Sequence, residues 1–436
     1  MASHLDPDRM SGLRLVPPST RCLAFTAAIY LLVICTLTLP RVVGPSWRSM
    51  ITPMAMRNLE GYPVQWEAYL ILRSLYAMST DTTPDDLIEW YSTDEYRATL
   101  PIYFAAIIAQ ITHSYIIGVT ISDVMWWWLG AIGVFLFVRN FTSTTVSFGA
   151  GLLTCFSPLG VGHIGSGHLH TASSLSLSLS LAMTYSILFN RNLKYIYAFL
   201  SFGSCLFLSS ITYTYQWFII PFAFVVGAMP SFSKRRLRIW ASGTVVFLIL
   251  RWSSYGILAL GQLSVHSHQN DPVRVLIYSI ENQLTNVTPM GIFIGFLLFL
   301  IDKCIVLSYM FVTSYGEVVL GAAVIGAVYV RNTNERVVLV AGVLLSVLFG
   351  AIYGIPWVIM SAYPMVYAMA SRGSYQLHRI ALASLPSGRF QVLRTPRMIL
   401  ATQVILVTAI GMSTNLDVFG DQTFGVRWWQ GSYIPH

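Results

Sequence analysis

The chain has 436 residues, of which 55% are hydrophobic and only 10% charged, with a formal net charge of +8 and a mean hydropathy of +0.63. Soluble domains carry about a quarter charged residues, so this composition excludes a soluble enzyme and fits an all-α polytopic integral membrane protein. The positive excess sits in short clusters at the ends of apolar runs, such as Lys234 to Arg238. That is orientation chemistry in a bilayer, and nucleic acid is not expected as a partner.

Apolar runs of about 20 residues, the length that crosses a bilayer, recur from residue 22 to residue 413 with no polar block between them large enough for a separate domain. They predict a single membrane domain over 1–436 with about 10–11 transmembrane helices. The first run, 22–40, follows Arg9, Arg14 and Arg21 and lacks a small-residue cleavage site, which predicts a retained helix with a cytoplasmic N-terminus. Within 45–98 there are eight acids against four arginines. With no positive excess, residues 45–119 read as the first extracytoplasmic loop. Downstream, the basic groups at Arg139, at Arg191 with Lys194, and at 234–238 all call for the inside. Counting crossings then requires one apolar segment not to span. The segment 100–119, with Pro101, Gln110, Thr112 and His113, reads as an interfacial helix, and 63–78 has the same character.

On that count 123–138 goes in, 143–161 comes out, 171–190 goes in, 195–212 comes out, 217–231 goes in and 239–258 comes out. A polar second extracytoplasmic loop, 261–284, follows. Asp302 and Lys303 interrupt the next apolar runs as a pair or a re-entrant bend. After the basic stretch 331–336 come a helix at 337–354 and the segment 355–370. Residues 371–397 then hold five arginines and no acid, a cytoplasmic signature by charge. The cysteines, Cys22, Cys35, Cys155, Cys205 and Cys304, all lie in apolar runs without metal-ligand spacing and read as small core residues. The serines of 173–180 are expected to bond their own helix backbone.

Four groups of residues have chemistry to offer. His163, His168 and His170 lie in a glycine-rich turn between two apolar segments. Their ordinary use is hydrogen bonding at the headgroup level; a glycine-rich turn leading to a helix start also holds an anionic headgroup. As metal ligands they are weak, because no local carboxylate or cysteine completes a set. Glu60 and Glu67 sit among Gly61, Tyr62, Pro63 and Trp66, where partial desolvation raises a carboxyl toward general-base range. Pairing with Arg57 or Arg73 is the structural alternative. Arg394 and Arg397 flank Pro396 ahead of the last apolar run, either as membrane anchors or as a bidentate phosphate grip. Arg251, inside the run 245–256, must face protein, water or a headgroup.

In order, these features resemble the GT-C type of membrane glycosyltransferase. The resemblance rests on "LPIYFAAI" (100–107), on the run through "FLFVRNFTSTTVSFGAGLLTCFSP" into "SPLGVGHIGSGHLHTASSL", and on "LPSGRFQVLRTPRMILA" (385–401) before a final helix. It covers roughly 20–260 and 337–413. It implies a polyprenyl-phosphate sugar as donor, a glycan, lipid or protein as acceptor, and an active face on the extracytoplasmic side of the plasma membrane, or the lumenal side in a eukaryote. Glu60, with Glu67 second, would be the catalytic carboxylate, and Arg394, Arg397, His168, His170 and Arg251 would bind the donor phosphate. Some relatives use a divalent metal, Mg or Mn, and others do not. The family's usual Asp after the first helix is replaced here by Glu60 before Gly61. Carried over, the family topology puts 371–397 outside, against its charge count. Two other functions fit the same residues: a non-catalytic GT-C-like subunit of a larger membrane assembly, with a membrane-protein partner, and a transporter or flippase of a lipid-linked or anionic substrate.

Overall fold

The computed structural model describes residues 19–42, 115–161, 315–330, 362–384 and 395–413 continuously, with scattered positions at 104–112, 164, 177–182, 196, 238–249, 305–312 and 335–347. The described residues are helical, with no strand among them. Seven helices are continuous: α1 (Thr20–Val42), α2 (Tyr115–Arg139), α3 (Thr144–Phe156), α4 (Pro158–Val161), α5 (Glu317–Val328), α6 (Tyr363–Ser384) and α7 (Pro396–Ser413). By length and composition α1 and α2 suit a bilayer, with candidate spans Thr20–Thr38 and Thr120–Arg139, while α3, α5 and α7 are shorter apolar helices.

The centre of the bundle is α3. Ser143 caps its start by accepting from the Val146 N–H, and its residues from Val146 to Phe156 are buried. Small residues make that burial close: a Cβ on Gly149 would meet Ser371 and Val407, and one on Gly151 would meet the Tyr30 ring. The polar side chains of so apolar a helix bond back to their own backbone, as Thr154 Oγ1 donates to Ala150 O at 3.0 Å and Ser147 Oγ to Ser143 O at 2.8 Å. Pro158 stops the helix, since it pushes the preceding residue out of the α region; Ser157 is extended at φ −58°, ψ 124°.

Three boundaries differ from the sequence expectation. The break expected between 119 and 123 is absent, and α2 runs unbroken from Tyr115. Phe104, on the element expected to be interfacial, meets the Trp126 ring edge-on at 6.1 Å. Twenty-two residues in one straight helix would span about 33 Å, so the chain turns between Phe104 and Trp126. The expected span 143–161 is a 13-residue helix, a bend at Ser157 and a single turn. The expected boundary at 370/371 also disappears, because α6 is continuous through it. The charge that marked that boundary, Arg372, is buried against Glu335.

Candidate functional site

Helix directions follow from the hydrogen bonds. Trp127 Nε1 donates to Thr154 O at 3.1 Å, so α2 and α3 are antiparallel about the short turn after Arg139. Ser371 Oγ donates to Val146 O at 2.7 Å, near the start of α3, whereas Tyr367 OH donates to Ser157 Oγ at 2.6 Å, beyond its end. Thus α6 is antiparallel to α3. Gln403 Nε2 donates to Ser371 O at 3.0 Å and to Ser374 Oγ at 2.7 Å, while Gly149 lies against Val407 and Gly411 against Phe156. Residues 403, 407 and 411 therefore ascend with 146, 149 and 156, and α7 is parallel to α3. Trp128 Nε1 donates to Ala27 O at 2.7 Å, and the Cys22 thiol lies within electrostatic range of Arg139, so α1 starts at the Arg139 end.

Two chemically different ends result. One collects Arg21 at the start of α1, Arg139 at the end of α2, the buried Arg372 pair, and Arg397, which is exposed in the first turn of α7. At the other end α1 finishes, α2 begins, and the chain leaves α3 through α4 and Ile164, whose N–H bonds Gly160 O at 3.2 Å. The described chain thus leaves α1, enters α2 and passes out through Ile164 at this one end. From Arg397 to Gly411, the level of Phe156, α7 rises about 21 Å.

Of the expected site residues, only Arg397 lies among the described ones. Glu60, Glu67, His168, His170, Arg251 and Arg394 lie outside them, as do His163 and the Asp302/Lys303 pair. Arg397 sits at the end of the described bundle opposite Ile164.

The structure also presents a carboxylate that the sequence reading passed over. Asp123, in the third turn of α2, is 5% exposed. It precedes Trp126 by one turn, and the buried Trp126 Nε1 has no hydrogen-bond partner. An ionisable residue in an apolar span is a functional candidate by default; that signal was present, but the tryptophan run beside it reads simply as a span. Asn140, the head of an N-x-T sequon, is committed structurally: its amide donates to Leu136 O at 3.1 Å and Ala182 O at 3.3 Å. Ser178 pairs with the Tyr363 hydroxyl. Among the described residues no three His, Cys, Asp or Glu side chains come together to hold a metal, and Cys22, Cys35 and Cys155 are free.

No protein-family model matches the chain, and neither does any curated protein. The solved structures to which it is similar are archaeal oligosaccharyltransferases, which have the GT-C fold. The apo enzyme of Archaeoglobus fulgidus aligns at 14% identity and a TM-score of 0.49, over 90% of this chain and 56% of that one. AglB from the same organism, in complex with an inhibitory peptide and a dolichol-phosphate, aligns at 12% and 0.48, over 89% and 56%. The A. fulgidus enzyme complexed with Zn and sulfate aligns at 14% and 0.49, over 88% and 53%. This chain spans a little over half the length of those enzymes.

Proposed function

We propose that the protein is a multi-pass membrane glycosyltransferase of the GT-C type. It transfers a sugar from a polyprenyl-phosphate donor to an extracytoplasmic glycan, lipid or protein. The observation that supports this reading is the shared end of the described helices: α1 finishes, α2 begins and Ile164 lies at one end, opposite a basic end that the positive-inside rule assigns to the cytoplasm.

In the mechanism, the acceptor hydroxyl oxygen attacks the anomeric carbon, the bond from that carbon to the donor phosphate oxygen breaks, and Glu60 takes the hydroxyl proton, with Glu67 as the second carboxylate. Negative charge grows on the departing phosphate. His168, His170 and Arg251 stabilise it, a task in which each charged donor gains most as the transition state is reached. For Arg397, at the basic end of the described bundle, and for Arg394 three residues before it in sequence, the reading we prefer is that of cytoplasmic anchors. A divalent metal, if used, would take its ligands from the outer-loop acids and these histidines and would supply further charge on the phosphate.

Full-length protein in detergent, given a polyprenyl-phosphate sugar and analysed by native mass spectrometry and product release, tests the reading. Donor should co-purify or bind, His168→Ala with His170→Ala should weaken it, and Glu60→Gln should abolish turnover with donor still bound. Donor bound and turned over equally by all variants would remove these residues from the site. A protein that binds no donor but holds a stable membrane partner would be the assembly subunit instead.

A further inference from the structure

Two guanidiniums at the basic end meet at the corner between α1 and α2. Trp128 donates to Ala27 O, and Arg139 stands eleven residues after it, three turns on and therefore on the same face of α2, the one turned to α1. The Cys22 thiol, within electrostatic range of Arg139, follows Arg21 directly in the chain. Arg21 and Arg139 thus share one corner. Arg139 is half-buried; its Nη1 donates to Thr142 O at 3.1 Å, while its buried Nε has no hydrogen-bond partner. Arg21 is exposed. Among the described residues no carboxylate pairs with either. Two like charges at one corner, one of them with an unmet donor, are costly until an anion joins them. Ser19 already takes the N–H groups of Cys22 and Leu23, so the positive charge on offer is that of the two side chains and not of the helix end.

A second, independent feature starts at the same residue. Arg21, Phe25, Ala28 and Leu32 are all exposed, at the i, i+4, i+7, i+11 spacing of one helix face. Phe25 is 64% exposed and Leu32 67%, and most of the candidate span Thr20–Thr38 is unburied, so this face is the outside of the bundle. From Arg21 to Leu32 it runs about 16 Å. That is the depth of one leaflet's hydrocarbon, half of roughly 30 Å.

We propose that this corner binds one anionic phospholipid from the leaflet at the basic end, with its phosphate on Arg21 and Arg139 and an acyl chain along Phe25, Ala28 and Leu32. The phosphate oxygens accept from the Arg21 fork and from the Arg139 guanidinium, and the net negative charge of the headgroup separates this ligand from a zwitterionic lipid. The site uses α1 as a membrane span, as in the function proposed above, but makes no use of glycosyl transfer. It lies at the end opposite the proposed transfer site, and its test reads binding without turnover, so either can fail alone.

The test uses the full chain in detergent. Native mass spectrometry measures retention of phosphatidylglycerol against phosphatidylcholine, and thermal shift measures stabilisation by each lipid and by glycerol phosphate, the headgroup fragment without chains. One phosphatidylglycerol should be held preferentially, with affinity about tenfold lower in Arg21→Gln, the loss expected for one charge-assisted contact. Arg139→Gln should weaken it at least as much. Arg397→Gln, which removes the same charge from another exposed arginine at this end, should leave retention unchanged, and glycerol phosphate should give no shift. Equal retention by wild type and Arg21→Gln, or an equal loss in Arg397→Gln, would overturn the site in favour of diffuse surface charge. Stabilisation by glycerol phosphate with the same Arg21 dependence and no lipid preference would overturn it in favour of a soluble phosphate compound. Arg21 is exposed, so its variant is expected to fold even where an Arg139 variant does not.

Discussion

Two glycines on α5 should respond to the same substitution with opposite signs. A Cβ on Gly326 would stand 1.8 Å from Met369 O, and one on Gly373, across the seam, would stand 1.9 Å from Ala322 O. Both obstacles are backbone, so neither yields by a rotamer change. Ordinary contact begins near 3.4 Å, so Gly326→Ala must part the α5/α6 seam by roughly 1.5 Å, an overpacking that typically costs about 1–3 kcal/mol. The same displacement strains the contact from Arg372 Nη2 to Tyr329 O, 3.3 Å long, which puts the expectation at the upper end, ~3 kcal/mol. Gly321, five residues earlier on the helix, has nothing within 4 Å of its Cβ position. There alanine gains helix propensity alone, up to about 1 kcal/mol. Thermal unfolding in detergent, followed by tryptophan fluorescence, should show Gly326→Ala falling by on the order of 5 °C, with Gly321→Ala unchanged or slightly raised. Equal melting temperatures for Gly326→Ala and wild type would refute the close crossing.

Three further outcomes are expected. Glu335→Gln leaves the Arg372 charge buried without its counter-ion and should destabilise by about 3–5 kcal/mol, while the double change Glu335→Leu with Arg372→Met should recover much of the loss; chemical unfolding of the four proteins closes the cycle. Burial pushes the His378 imidazole below its ordinary pKa, so below about pH 6.5 the unfolded chain binds a proton that the folded one refuses. Its contribution to stability is full above the unfolded value and is lost as pH falls toward the folded one, so melting scans from pH 7.5 to 5.5 should fall more steeply for wild type than for His378→Gln. In a cysteine-free background, Arg21→Cys and Arg397→Cys should be labelled by an impermeant maleimide from one face of sealed vesicles and Ser79→Cys from the other. Labelling of Arg397→Cys together with Ser79→Cys would undo the two-ended arrangement.

The helical bundle was legible in the sequence wherever a rule is local. Arg139 closes α2 and residue 143 opens α3 where the sequence put them, because each acts within a turn of itself, whereas Pro158, which ends the α3 run at Ser157, was read through as part of one span. What failed was partnership over distance. Arg372 reads as a solvent-facing charge until Glu335, 37 residues away, is seen to neutralise it, and that misreading broke α6 in two. Phe104 looks interfacial until Trp126 is found beside it. For 371–397, counting charges and the motif resemblance pointed to opposite sides, and α7 puts Arg397 at the end that carries Arg21 and Arg139. Charge acts on any chain that enters a bilayer, while a short arginine–proline pattern carries no record of which way its helix points. Of the candidate site, the residue types were readable, while the end at which α1 finishes, α2 begins and Ile164 lies was not, since it is defined by α1, α2 and α3 together.

The burial of α3 bears on how the chain is made. Thirteen residues rise about 20 Å, short of the roughly 30 Å of hydrocarbon a lone helix must cross, and the side chains that enclose this one belong to helices at both extremes of the chain. When the ribosome has passed Phe156, α1 and α2 are present, but α6 and α7 have yet to be synthesised. For most of translation the helix must wait half-covered, with Gly149 lacking the Ser371 and Val407 side chains that later enclose it. Polypeptides cut short before Pro396 should therefore be the form that cellular quality control recognises and removes.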